Sequence, residues 1–206
     1  MRAVIWDLGG TLVDTYPDVD RALATAIRPE PDDALLHEVA LLTRRSSGEA
    51  ISTLARRHGL AEATLRAAYE GTKQRWLEHP PPVMAGARDL LAAVRDEGGL
   101  NLVSTHRERA SATALLDSLG LEVDDIICAP DGYPRKPDPA MIRALLSRHQ
   151  LDPGECLAIG DRPGDVEAAC AGGVRGVLLE TPGVPLEAGE AVRITALSEL
   201  LDRVRG

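Results

Sequence analysis

The chain has 206 residues, enough for one large domain or for a core with a modest insertion. Its 23 basic and 32 acidic residues leave a net charge of -9, which argues against a nucleic-acid partner or an anionic membrane surface. With no Phe and 2% aromatic residues it lacks stacking platforms for single strands, and three cysteines without a C-x-x-C spacing argue against a disulfide framework or a zinc site. Cys128, Cys156 and Cys170 are expected to be core residues of a protein kept in a reducing cytoplasm. No signal-peptide pattern opens the chain, and no apolar run is long enough to span a bilayer.

The opening stretch AVIWDLGGTLVDT predicts a short buried strand over 3–7 that runs into Asp7 and stops at two glycines. Residues 16–79 hold no convincing strand. Four segments there carry apolar residues at helical spacing, at 19–27, 31–45, 47–59 and 61–79, with Gly59 as a helix stop. Pro80, Pro81 and Pro82 cannot lie inside a helix and read as a rigid return linker. Helix and strand then alternate: helix 85–99, strand 100–105, helix 107–120, strand 124–129, helix 138–150, strand 156–161, helix 165–173 and strand 174–180. The tail 194–206 reads as a final helix. This pattern predicts an α/β fold with a doubly wound parallel sheet, made of residues 1–15 and 80–206, and an α-helical insert over 16–79.

In such sheets ligands bind beyond the carboxyl ends of the strands. Those ends carry Asp7, the Ser104-Thr105-His106-Arg107 run, Lys136 in the loop after the third strand, and Asp161 followed by Asp165. A carboxylate at such a place can attack an electrophile and form a covalent aspartyl intermediate. Mg²⁺ takes oxygen ligands, commonly one or two carboxylates with substrate phosphate and water. Glycines at 9 and 10 would let the backbone approach metal and phosphate closely. Thr105 offers a hydroxyl. Lys136 offers a point charge that offsets the repulsion between nucleophile and phosphate. Only Lys73 and Lys136 are lysine, which makes a lysine at this rim conspicuous.

These residues carry a resemblance to the haloacid dehalogenase-like superfamily of aspartate-nucleophile hydrolases. WDLGGTLVDT resembles its first motif, Asp-x-Asp-Gly-Thr. LVSTHR, RKPDP and GDRPGD resemble the second, third and fourth, in order across residues 3–170. The helical block lies where this family carries a small cap, as in its phosphoglycolate-phosphatase-like branch. The resemblance implies a Mg²⁺-dependent phosphoric monoester hydrolase for a small phosphorylated metabolite, cytoplasmic, monomeric or homodimeric. By position, Asp7 matches the nucleophile and a metal ligand. Thr105 (or Ser104, one register away) matches the second-motif hydroxyl, and Lys136 the phosphate-charge lysine. Asp161 matches a metal ligand and Asp165 a supporting acid. The Gly9 carbonyl would complete the metal set, and Gly10 and Thr11 would contact phosphate.

Gly9 departs from the motif. The usual second Asp protonates the leaving oxygen and later activates water, help worth roughly 10²–10⁴-fold. Glycine keeps the carbonyl and loses the carboxyl. The expectation is weak turnover of alkyl phosphates, restriction to good leaving groups, or a substitute such as His106, which follows Thr105 and titrates near neutrality. Phosphonate-cleaving relatives also lack that Asp and use a cap lysine as a Schiff base, but Lys73 lies late in the insert. A 2-haloacid dehalogenase and a non-catalytic phosphate- or metal-binding protein are the other readings. Arg44, Arg45, Arg56 and Arg57 are expected on a solvated face, and Trp76 in the core.

Overall fold

The computed structural model describes residues 1–189 and 191–205. The chain divides into two compact units: Met1–Val13 with Val83–Gly206, and Asp14–Pro82.

The first unit is built on a six-stranded sheet of β1 (Ala3–Trp6), β2 (Leu100–Thr105), β3 (Asp125–Cys128), β4 (Cys156–Gly160), β5 (Arg175–Leu179) and β6 (Val192–Ile194). The order is β3-β2-β1-β4-β5-β6, and every neighbouring pair is parallel. The expected doubly wound architecture is therefore present, and strand order reverses at β1 and β4, where such folds open a crevice. Successive residues of β1 face opposite sides of the sheet. Val4 and Trp6 join the apolar cluster that includes residues of α5 (Ala87–Asp96), α6 (Arg109–Ser118) and α9 (Leu201–Arg205). Ala3 and Ile5 join the opposite cluster, with α7 (Ala140–His149) and α8 (Pro163–Ala171). Burial on both faces is why β1 reads as a continuous apolar run.

The tail corrects the expected helix over 194–206. Residues Val192–Ile194 form the edge strand β6, Leu197–Leu200 a 3₁₀ turn, and only Leu201–Arg205 an α-helix; Gly206 lies outside the described residues. Three residues are too few for a strand period to show in sequence. Register on β5 and the Arg193–Glu180 ion pair hold them in place.

The second unit is helical, as its spacing predicts: α1 (Tyr16–Ile27), α2 (Asp33–Thr43), α3 (Ser47–His58) and α4 (Glu62–Arg75). Asp32 caps α2 by accepting from the Leu35 N–H, and Ser46 caps α3 by accepting from the Glu49 N–H. Gly59 closes α3 at φ 67°, a left-handed position that glycine reaches without strain. The unit has its own core of Val19, Leu23, Val39, Ile51, Leu54, Leu65 and Trp76. Arg44 departs from the expected solvated face. It is 7% exposed, pairs with Asp20 at 2.5 Å and stacks on the Tyr16 ring at 3.7 Å. Cys170 is exposed, contrary to the expected core position, while Cys128 and Cys156 are buried. Among the described residues no helix is long and apolar enough to cross a membrane.

Candidate active site

Asp7 stands one residue beyond β1, and its N–H still donates to the Ile159 carbonyl at 2.8 Å. The sheet ladder thus carries the carboxylate to the strand tip and fixes its backbone. The following loop folds back on itself: Leu12 and Val13 donate to the Leu8 carbonyl, and Gly10 donates to the Val13 carbonyl. Gly10 sits at φ 98°, which explains glycine there; Gly9 is not among the positive-φ residues. Backbone handedness therefore does not call for glycine at position 9.

Asp161 follows β4 in the same way and is 1% exposed. Asp165 lies in the first turn of α8, where its Oδ2 accepts from the Arg162 N–H at 3.0 Å and caps the helix. Gly160 makes this possible. A Cβ at 160 would fall inside the Asp165 side chain. The need for glycine at this strand end is a feature the motif reading missed, although the Gly-Asp pair at a strand terminus was its visible signal.

Lys136 reaches the cluster from the loop between β3 and α7. Its side chain is 4% exposed, and Nζ lies 2.6 Å from Asp7 Oδ1, 2.5 Å from Asp165 Oδ1 and 3.0 Å from the Ser104 carbonyl. Three acceptors take the three protons an ammonium offers. The two flanking carboxylates hold Lys136 firmly protonated, its pKa raised against the effect of burial.

The carboxylates of Asp7, Asp161 and Asp165 each place an oxygen within 4.8 Å of the others. When all three are ionised, three carboxylates against one ammonium leave a surplus of two negative charges. Burial pushes Asp7 up to about 7, Lys136 opposes this, and the charges of Asp165 and Asp161 add to it. A hard divalent cation with oxygen ligands fits this donor set and relieves its repulsion.

The remaining expected residues fall differently. Thr105 ends β2, 4% exposed, with its hydroxyl oxygen accepting from the Arg107 N–H at 3.2 Å. Its O–H stays available as a donor. Thr11 is fully buried, and its hydroxyl donates to Asp161 Oδ1 at 2.8 Å. Its hydroxyl proton is thus engaged with a carboxylate of the acidic cluster. The Gly10 N–H donates to the Val13 carbonyl within the loop. His106 Nε2 accepts from the Lys136 backbone N–H at 2.8 Å, and burial with the nearby Lys136 charge lowers its pKa to about 4. In this structure that ring nitrogen is engaged with the backbone, and the lowered pKa favours the neutral imidazole. Lys73 lies on α4 with its Nζ 2.9 Å from Glu70.

A half-buried aspartate at a strand tip, a lysine reaching it from 129 residues away and two further acids after β4 gather at the carboxyl rim of a parallel α/β sheet. The chain belongs to the haloacid dehalogenase-like hydrolase family, whose model matches residues 1–173. Among its relatives is a phosphoglycolate phosphatase of Rhodospirillum rubrum, 36% identical over 193 residues, covering 86% of this chain and 79% of that protein. An N-acetylmuramic acid 6-phosphate phosphatase of Pseudomonas aeruginosa is 29% identical, covering 85% and 80%. The crystal structure of a predicted phosphoglycolate phosphatase from Haemophilus somnus superimposes with a TM-score of 0.81 at 17% identity, covering 98% of this chain and 97% of that one. That likeness shows the fold.

Proposed function

We propose that this hydrolase is a Mg²⁺-dependent phosphatase of the cytoplasm, acting on a small phosphorylated metabolite through an aspartyl-phosphate on Asp7. The observation that carries the reading is the Asp7–Lys136 pair at 2.6 Å beside Asp161 and Asp165. The phosphoglycolate phosphatase among its relatives makes 2-phosphoglycolate the first substrate to test.

An Asp7 oxygen attacks phosphorus, the ester P–O bond breaks, and the leaving oxygen takes a proton from solvent, since position 9 has no side chain to give one. Water then attacks the phosphorus of the acyl phosphate, releasing inorganic phosphate and restoring the carboxylate. Lys136 offsets the charge of nucleophile and phosphoryl group, and the Thr105 O–H donates to a phosphoryl oxygen. Asp7, Asp161, Asp165 and the Gly9 carbonyl would hold Mg²⁺. When bound, the cation neutralises phosphate charge and fixes its orientation. Thr11 keeps Asp161 in place for this task. The helical unit Asp14–Pro82 is read as the inserted cap of the family.

The test is release of phosphate from 2-phosphoglycolate, acetyl phosphate and p-nitrophenyl phosphate, with Mg²⁺ or with EDTA, using Asp7→Asn as the blank. Turnover that needs Mg²⁺ and vanishes in Asp7→Asn is expected. Chloride release from chloroacetate without metal, with no phosphate released from any ester, would overturn the reading.

A further inference from the structure

We infer that His106 is a positioning residue for Lys136: its imidazole Nε2 accepts the Lys136 backbone N–H and so sets where the lysine side chain starts. Its catalytic consequence rests on the phosphatase reading above.

The loop that carries Lys136 is short of backbone donors. Prolines stand at 134, 137 and 139, and the Asp138 N–H turns back onto the Arg135 carbonyl. The Lys136 N–H points out of the loop and ends on His106 at 2.8 Å. His106 comes directly after β2, and β2 supplies the Ser104 carbonyl that accepts from Lys136 Nζ at 3.0 Å. One strand end therefore grips the lysine twice, at its backbone through His106 and at its ammonium through Ser104. Between those two points lies a flexible four-carbon stem whose charge must fall between Asp7 and Asp165. Fixing both ends of the stem leaves the ammonium few other places to go.

The proton arithmetic agrees. An Nε2 that accepts from an amide leaves the ring proton of the neutral imidazole on Nδ1. A second proton on Nε2 would set two donors face to face and break the contact. Burial and the charges of Lys136, Arg135 and Arg162 oppose that proton, while Asp165 favours it. The ring is thus an acceptor at working pH, which is what holding an N–H requires.

Three variants separate positioning from proton transfer. His106→Gln can place an amide oxygen where Nε2 lies, His106→Asn is too short to do so, and His106→Leu has no acceptor. With only two lysines in the chain, acetylation of Lys136 relative to Lys73, read by mass spectrometry on folded, metal-free protein, reports how tightly Lys136 is held without any need for turnover. His106→Leu and His106→Asn are expected to raise the Lys136 to Lys73 ratio severalfold. They should also lower kcat on p-nitrophenyl phosphate by up to about 10²-fold, the cost of a 1 Å misplacement of a catalytic group. His106→Gln is expected to recover most of both. If Leu does not fold, the Asn and Gln pair carries the comparison. The inference is overturned if Leu or Asn keeps the wild-type ratio. It is also overturned if Gln fails as badly as Leu while the pH profile of kcat loses a limb. If wild type hydrolyses no phosphate ester, the phosphatase reading fails by itself, and the labelling ratio still decides whether His106 holds Lys136.

Discussion

Replacing Gly9 with Asp puts a carboxyl group back where the first motif of the resembling hydrolases carries one. The backbone at 9 is not in the left-handed region, so an aspartate enters without the strain it would meet at Gly10, at φ 98°. The added group would act twice: as acid on the leaving oxygen and as base on the water that cleaves the acyl phosphate. General acid–base help of roughly 10²–10⁴-fold corresponds to about 2.7–5.5 kcal/mol of barrier. A nitrophenolate leaves without a proton, so wild type should form the aspartyl-phosphate from p-nitrophenyl phosphate readily and then stall. Stopped-flow measurement should show a burst of nitrophenolate close to one per enzyme, followed by a slow steady state. Gly9→Asp should erase the burst by speeding the second step, and raise kcat on an alkyl phosphate by on the order of 10²-fold. The variant adds a fourth carboxylate beside Asp7, Asp161 and Asp165, so both proteins are compared at saturating Mg²⁺. An unchanged burst together with an unchanged alkyl rate would refute the argument that Gly9 limits catalysis by lacking a side chain.

Other consequences can be checked by separate measurements. Gly160→Ala drives a methyl group into the Asp165 side chain; a stability loss of about 1–3 kcal/mol is expected from the overpacking, with weaker Mg²⁺ binding by calorimetry. Wild-type Mg²⁺ affinity in that variant would show that Asp165 does not serve the cation. Arg44→Met leaves the Asp20 carboxylate buried without its partner, and burial already raises the Asp20 pKa. Urea denaturation should show a loss of about 3 kcal/mol or more, largely recovered by adding Asp20→Asn. For His106 the folded pKa of about 4 lies below the ordinary 6.5. The unfolded chain therefore binds the extra proton first, and the stability present above pH 6.5 is lost as pH falls toward 4. Discounted for solvent screening of a half-buried ring, this is on the order of 1–2 kcal/mol, or roughly 2–8 °C in Tm. His106→Gln should flatten that part of the Tm–pH curve, and an identical acid limb in both proteins would contradict it.

Much of the core was readable in the amino-acid sequence because its signals are local. The apolar run before Asp7 marks a strand buried on both faces, and the alternation of periods after Pro82 marks parallel strands with crossover helices. Parallel topology then places every strand end on one rim, which is why Asp7, Lys136, Asp161 and Asp165, far apart in sequence, lie together. Edge strand β6 stayed hidden, because three residues carry no period and depend on pairing with β5.

What the tertiary structure alone decided is which polar atoms meet. Thr11 and Asp161 are 150 residues apart, and Lys136 and His106 are 30 apart. Their contacts join the Thr11 hydroxyl to the Asp161 carboxylate and the His106 ring to the Lys136 backbone, pairings that spacing in the sequence does not reveal. Arg44 moves from an expected solvated face into a buried pair with Asp20. Residue type and spacing determine which groups reach the rim, since strand direction is encoded locally. The partner each buried donor takes is set by where distant loops close, because a polar group removed from water must find whatever acceptor the fold brings within reach.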